Sequence, residues 1–261
     1  MPRVITSLGS MIGYTEAGGG DATPILFLHG VGSDKSVWRP QLDHFRGRNS
    51  AIAIDYPGYG ESVLVEGATR DDYARAAFAA LDAMGREQAH ICGLSLGGVV
   101  AVAMHALAPE RCRSLILADS FAVHPDGEAI YDRGVAASAD LRAMAEARVD
   151  VLLAQPADPA VRSEVVETMA RIDPAAYRIG GEAVWLADQR NRAAAIDVPT
   201  LVVCGSEDKV TPPALSRELA DLIPGARYAE IEGAGHISNL EKPDAFNTLV
   251  AEFIRGADSR N

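Results

Sequence analysis

Gly93-Leu-Ser95-Leu-Gly97-Gly98 directly follows an apolar run, Ala89 to Cys92, and opens a helical stretch, Val99 to Leu107. A serine on such a strand-to-helix turn carries its hydroxyl at a helix N-terminus, and the flanking glycines relieve steric clash in the tight turn. A hydroxyl is a weak nucleophile at neutral pH, so it needs a base to take its proton and an acid to orient that base. His236, in Gly233-Ala-Gly-His236-Ile-Ser, is the candidate base. Asp208, in Cys204-Gly-Ser-Glu-Asp208-Lys-Val-Thr-Pro, is the candidate acid, with Asp119 at the end of an earlier strand as the alternative. Acyl transfer also needs N–H donors aimed at a developing oxyanion. Val31, between Gly30 and Gly32, and Leu96, the residue after the serine, are placed to supply them. The chemistry indicated is nucleophilic cleavage of an acyl compound.

Other chemistries find no foothold. His29 is expected to brace the Gly30–Gly32 loop, and His44, His90, His105 and His124 show no metal-ligand spacing. Asp55-Tyr-Pro-Gly-Tyr-Gly-Glu-Ser62 lacks the third glycine of a dinucleotide loop and reads as a structural turn. Cys92, Cys112 and Cys204 lie far apart, which suggests small buried hydrophobes rather than a zinc site or disulfides. Neither a metal nor a cofactor is expected. Thirty-six acidic residues against 24 basic ones give a net charge of -12, which repels nucleic acid and anionic lipid. No stretch approaches the roughly 20 apolar residues that span a bilayer, and the first residues carry no apolar leader, so a cytoplasmic protein is expected.

These residues need a scaffold. Short apolar runs at Pro24–Leu28, Ala51–Ile54, Ala89–Cys92, Ser114–Ala118, Thr200–Cys204 and Ala226–Ile231 alternate with helical patterns. That alternation is the signature of an α/β fold, a mostly parallel sheet with helices on both faces. Thr69-Arg-Asp-Asp72 forms a capping box before Tyr73, Ala77 and Leu81, and Phe246, Val250 and Phe253 lie on one face of a final helix. Val4–Leu8 and Met11–Thr15 suggest an edge hairpin around Gly9-Ser10, followed by a Gly18-Gly19-Gly20 turn. From Phe121 to Arg192 the alternation stops, and an Ala-, Arg- and Glu-rich stretch reads as a helical insertion over the sheet. The expected division is a core of residues 1–120 and 193–261 with a helical lid of residues 121–192.

With these motifs in place, the chain resembles the α/β hydrolases over nearly its whole length, in the order Ser95, Asp208, His236. It is most similar to the 3-oxoadipate enol-lactonase group, through Cys92-Gly-Leu-Ser-Leu-Gly-Gly98, Thr211-Pro-Pro, Ile223-Pro-Gly-Ala-Arg227, His236-Ile-Ser-Asn239 and Pro243-Asp-Ala-Phe246. The resemblance implies an α/β-hydrolase fold and assigns nucleophile, acid and base to Ser95, Asp208 and His236. In that group the lid carries an Arg-Trp pair suited to a carboxylated lactone, whereas the comparable stretch here reads Val149-Asp-Val-Leu-Leu153. Arg133, Arg142 and Arg148 read as solvated helix faces, so the substrate expected is a small neutral ester or lactone. Trp38 and Trp185 are candidate walls of its pocket. A carboxylated enol-lactone hydrolase, a carbon–carbon bond hydrolase and a slow-turnover ligand sensor that keeps the triad are the alternatives on the same scaffold.

Overall fold

The computed structural model describes residues 3–5, 11–19 and 22–259. Its strands are β1 (Arg3–Ile5), β2 (Met11–Ala17), β3 (Ile25–Leu28), β4 (Ala51–Ile54), β5 (Ala89–Leu94), β6 (Cys112–Ala118), β7 (Thr200–Gly205) and β8 (Arg227–Ile231). They form one eight-stranded sheet in the order β1-β2-β4-β3-β5-β6-β7-β8. β2 runs antiparallel to both of its neighbours, and every other pairing is parallel. The expected strands are present, with ends shifted by one or two residues. The hairpin turn at Gly9-Ser10, the end of its first strand and Gly20 lie outside the described residues.

Helices α1 (Arg39–Phe45), α2 (Arg70–Ala83) and α3 (Leu96–Leu107) alternate with the strands from β3 to β6. Five helices follow β6 before the chain returns to the sheet: α4 (Gly127–Ala137), α5 (Leu141–Leu152), α6 (Pro159–Met169), α7 (Pro174–Trp185) and α8 (Arg190–Ala194). The last part contributes α9 (Pro213–Leu222), α10 (Ser238–Glu241) and α11 (Pro243–Asp258). Among the described residues no helix is long and apolar enough to cross a membrane.

The pleat explains why the central strands are apolar throughout. Side chains alternate between faces along a strand, so Phe27, Ala53, Ile116 and Val203 join α1 and α11 in one core, while Leu26, Ile52, Leu117 and Val202 join α2, α3 and α9 in the other. Burial on both faces favours the continuous apolar runs seen in the sequence. The helices start where their caps dictate. Thr69 and Asp72 close a reciprocal capping box on α2, and Asp158 and Asp173, each followed by proline, accept the first N–H groups of α6 and α7. The inserted helices span Gly127 to Ala194, so the expected boundary between residues 192 and 193 falls within α8. A single bridge between Val123 and Asp188 closes the stem of this insertion.

Candidate active site

β5 ends at Leu94 and α3 begins at Leu96, which leaves Ser95 alone to make the turn. Its backbone sits at φ 55° and ψ -112°, a strained conformation for a residue with a side chain. The turn closes only because glycines stand two residues to either side: a Cβ at Gly93 would strike the carbonyl of Gly97, and one at Gly97 would strike the carbonyl of Leu28. The Ser95 N–H donates to Ala118 O at 2.8 Å, and the Ser120 hydroxyl donates to Ser95 O at 3.0 Å. The Ser95 hydroxyl is buried yet has no hydrogen-bond partner among the described residues. A side chain so held and left unsatisfied is available for chemistry.

Asp208 lies in the loop after β7. Its Oδ1 accepts the N–H groups of Val210 and Thr211 at 2.8 and 2.9 Å. Its Oδ2 accepts the Thr211 hydroxyl at 2.7 Å and faces His236 Nδ1 at 2.9 Å. Burial alone would raise the Asp208 pKa, but the His236 charge and these donors hold the carboxyl below the usual carboxylate range. His236 shows the converse. Burial works against its charged form, and the charge and hydrogen bond of Asp208 outweigh it, so its pKa is raised.

Asp119, the alternative acid, also lies nearby, at φ 47°. It accepts the Gly205 N–H at 2.8 Å and the Ser238 hydroxyl at 2.5 Å. Burial and the charge of Asp208 push it up to about 8. It therefore braces the loop that carries His236, while Asp208 is the carboxylate that meets the ring. Glu241 at the end of α10 adds a second brace, which no local motif announces. Its carboxylate accepts the N–H groups of Gly235 and Ala154 at 2.9 and 2.8 Å, tying the histidine loop to the end of α5. The His236 N–H itself donates to Leu152 O at 2.8 Å.

Asp119, Cys204 and Asp208 bring possible ligand atoms within 4.8 Å of one another. A divalent ion would need their lone pairs free and the thiol ionised. Six N–H, O–H and imidazole contacts occupy the two carboxylates, and burial pushes the Cys204 thiol up, so the cluster does not suit a metal.

The loop after β3 is built by His29 and Asp55. His29 Nδ1 donates to Gly30 O at 2.8 Å while its Nε2 accepts the Tyr56 N–H at 3.3 Å, contacts that fit the neutral ring favoured by burial. Asp55 accepts the Lys35 N–H at 2.9 Å and its ammonium at 2.6 Å, so the Asp55–Ser62 motif is a structural clamp, as its missing glycine implied. The N–H groups of Val31 and Leu96 have no acceptor among the described residues.

Ser95 and His236 line one pocket of about 50 Å³, closed by Val165, Met169, Tyr177 and Trp185 from α6 and α7. Trp38 does not reach it. It is wholly buried beneath, its ring 4.9 Å from that of Phe27 and 5.9 Å from that of Phe246. Arg142 pairs with Glu167 on the surface, as expected, but Arg148 is no solvated face. It lines the pocket, with Nη1 donating to the Tyr177 hydroxyl at 3.3 Å. Sequence periodicity could not show this, because a half-buried arginine on an amphipathic helix looks like any other at the boundary of its apolar stripe.

A strained serine at the sheet's carboxyl edge, with an imidazole and a carboxylate in hydrogen-bond contact beside it, falls within a known architecture. The sequence profile of the alpha/beta hydrolase fold matches residues 23–243, and the protein belongs to that family. A protein of Azorhizobium caulinodans that bears the name carbamate hydrolase RutD is 32% identical over 261 aligned positions, covering 92% of this chain and 94% of its own. The 3-oxoadipate enol-lactonase 1 of Acinetobacter baylyi is 28% identical over 242 positions, with 90% of each chain covered. The solved structure of the enol-lactonase from Burkholderia xenovorans superposes with a TM-score of 0.90 at 30% identity, over 97% of this chain and 100% of the other. The chain is thus a hydrolase of the esterase and lactonase type, and its likeness to the enol-lactonase group holds.

Proposed function

We propose that the protein is a serine hydrolase that cleaves a small carboxylic ester or lactone through an acyl-enzyme. The observation that carries this reading is the 2.9 Å contact of His236 Nδ1 with Asp208, which fixes the ring while His236 and the unpartnered Ser95 hydroxyl line one pocket. Ser95 Oγ attacks the carbonyl carbon as His236 Nε2 takes its proton. The carbonyl oxygen becomes an oxyanion that the N–H groups of Val31 and Leu96 receive. Collapse breaks the ester bond, and His236 returns the proton to the leaving oxygen. Water then attacks the acyl-serine, with His236 again as base, and frees the acid and Ser95. Asp208 holds the ring and stabilises its charged form. The helices α4 to α7 act as a lid that selects the acyl group. The test is labelling with a fluorophosphonate, followed by turnover on p-nitrophenyl acetate. Labelling that maps to Ser95 and is lost in Ser95→Ala supports the reading, and labelling that persists in that variant overturns it.

A further inference from the structure

Two cavities adjoin at Arg148 and Val210, and they differ in size and in charge. The inner one, which holds Ser95, is about 50 Å³ and mainly apolar. The outer groove, between α4, α5 and the start of α9, is about 720 Å³ and is lined by Arg133, Arg148 and Lys209, with Asp126 as the acidic residue among its described walls. Three cations around one groove invert the balance of a chain that carries 36 acidic and 24 basic residues. Most surface arginines nearby are neutralised: Arg142, Arg162 and Arg190 each hold a carboxylate. Among the described residues no carboxylate lies within 4.0 Å of the charged atoms of Arg133, Arg148 or Lys209. Arg148 stands at the junction, its guanidinium tethered by Tyr177.

An unpaired guanidinium between a small apolar pocket and a wide cationic groove is suited to one arrangement of an ester. We propose that the inner pocket takes a short acyl group and the outer groove takes the alcohol portion, and that this alcohol carries an anionic group, carboxylate or phosphate, received by Arg148 with Arg133 and Lys209. The planar fork of Arg148 matches either anion with paired N–H donors. The expectation of a neutral substrate, which took Arg148 with Arg133 and Arg142 as solvated faces and found no Arg-Trp pair in the lid, is revised accordingly. The assignment rests on the serine-hydrolase reading above and adds to it the charge and placement of the leaving group.

The test compares 4-acetoxybenzoate with 4-acetoxybenzamide, which differ in charge at one position, and adds 4-acetoxyphenyl phosphate to tell the two anions apart. Each kcat/KM is divided by the spontaneous hydrolysis rate. The expected anionic-to-amide ratio is about tenfold or more in the wild type, in line with a charge-assisted hydrogen bond. Arg148→Met should lower that ratio about tenfold, Arg148→Lys should recover part of it, and Lys209→Gln should lower it about twofold, as an exposed charge does. Any loss common to both substrates cancels in the ratio. A wild-type ratio at or below one, or a ratio that Arg148→Met and Lys209→Gln leave unmoved, overturns the proposal. Failure of the hydrolase reading would look different, with no ester turned over and no label on Ser95. In that event calorimetric binding of 4-hydroxybenzoate to Ser95→Ala decides: weakening of about tenfold on adding Arg148→Met upholds the groove, and absence of binding overturns it.

Discussion

The sheet edge and the helical insertion face each other across one small pocket, yet they are built to different standards. On the sheet side each carboxylate of the site is held by several partners. Asp208 has four contacts, Asp119 two, Glu241 three N–H groups, and Ser95 is fixed by a turn that needs glycine two residues to either side. On the insertion side the pocket wall is mainly Val165, Met169 and Trp185, apolar residues whose demand is to be covered, with Arg148, Tyr177, Glu164 and Thr168 as its polar members. Directional bonds fix the chemistry, and non-directional packing leaves the substrate free to differ. A change on the sheet side should abolish rate, whereas a change on the insertion side should redirect it.

The largest break in that contrast is at Ser95. Ser95→Ala should lose about six orders of magnitude in kcat, the scale seen when a triad nucleophile is removed. Its unfolding midpoint should be unchanged. Ser95→Gly should be equally inactive but more stable, by about 1 kcal/mol, because glycine tolerates the positive φ that serine is forced to adopt. Calorimetry that finds Ser95→Gly less stable would remove the case for strain at the elbow.

Next in size is the choice between two buried acids. Asp208→Asn should cost about four orders of magnitude in kcat, since an amide in its place favours the wrong imidazole tautomer. Asp119→Asn should cost tenfold or less, because Asp119 touches Ser238 and Gly205 instead of the ring. Steady-state rates in the reverse order would move the acid to the end of β6.

The pH profile sharpens the same point. Only neutral His236 can accept the Ser95 proton, so kcat/KM should rise tenfold per pH unit along an acidic limb. Burial lowers the pKa of this histidine, but Asp208 outweighs it, so the limb should have its midpoint above the ordinary histidine value of about 6.5. A midpoint well below that value would mean that burial, and not Asp208, governs the ring.

How much of this was legible beforehand follows the same division. The glycines around Ser95, the apolar strands and the Asp208 and His236 loops all lie in local patterns, because a tight turn or a two-sided strand constrains adjacent residues. The Arg148–Tyr177 contact and the clasp of Glu241 on Ala154 join positions 29 and 87 residues apart, and no spacing rule reaches that far. Trp38 misled for a related reason. A tryptophan near a glycine loop fits a pocket wall or a core equally well, and the ring contacts with Phe27 and Phe246 that decide between them come from the fold.

The smallest expected effect concerns stability and tests whether the sheet-side acids differ in charge as well as contact. Asp119 titrates at about 8 in the folded chain against 3.8 ordinarily, pushed up by burial and by the charge of Asp208. Between those values the folded protein keeps a proton that the unfolded chain gives up, so stability must fall as pH rises through that window. Asp208 is shifted the other way and is ionised in both states above the ordinary value, so it adds no slope there. His236, with its raised pKa, also loses stabilisation as pH rises, and the Asp119 carboxylate adds to that rise, so an Asp119 variant gives up part of this slope as well. The difference between the two proteins therefore reports Asp119 together with its pull on His236, and both act in the same direction. Unfolding midpoints measured from pH 5 to 8 should fall further in the wild type than in Asp119→Asn, by a few degrees, and the variant should be the more stable at the upper end. Parallel curves would show that Asp119 is ionised throughout, with two like charges held side by side beneath His236 by their hydrogen-bond donors alone.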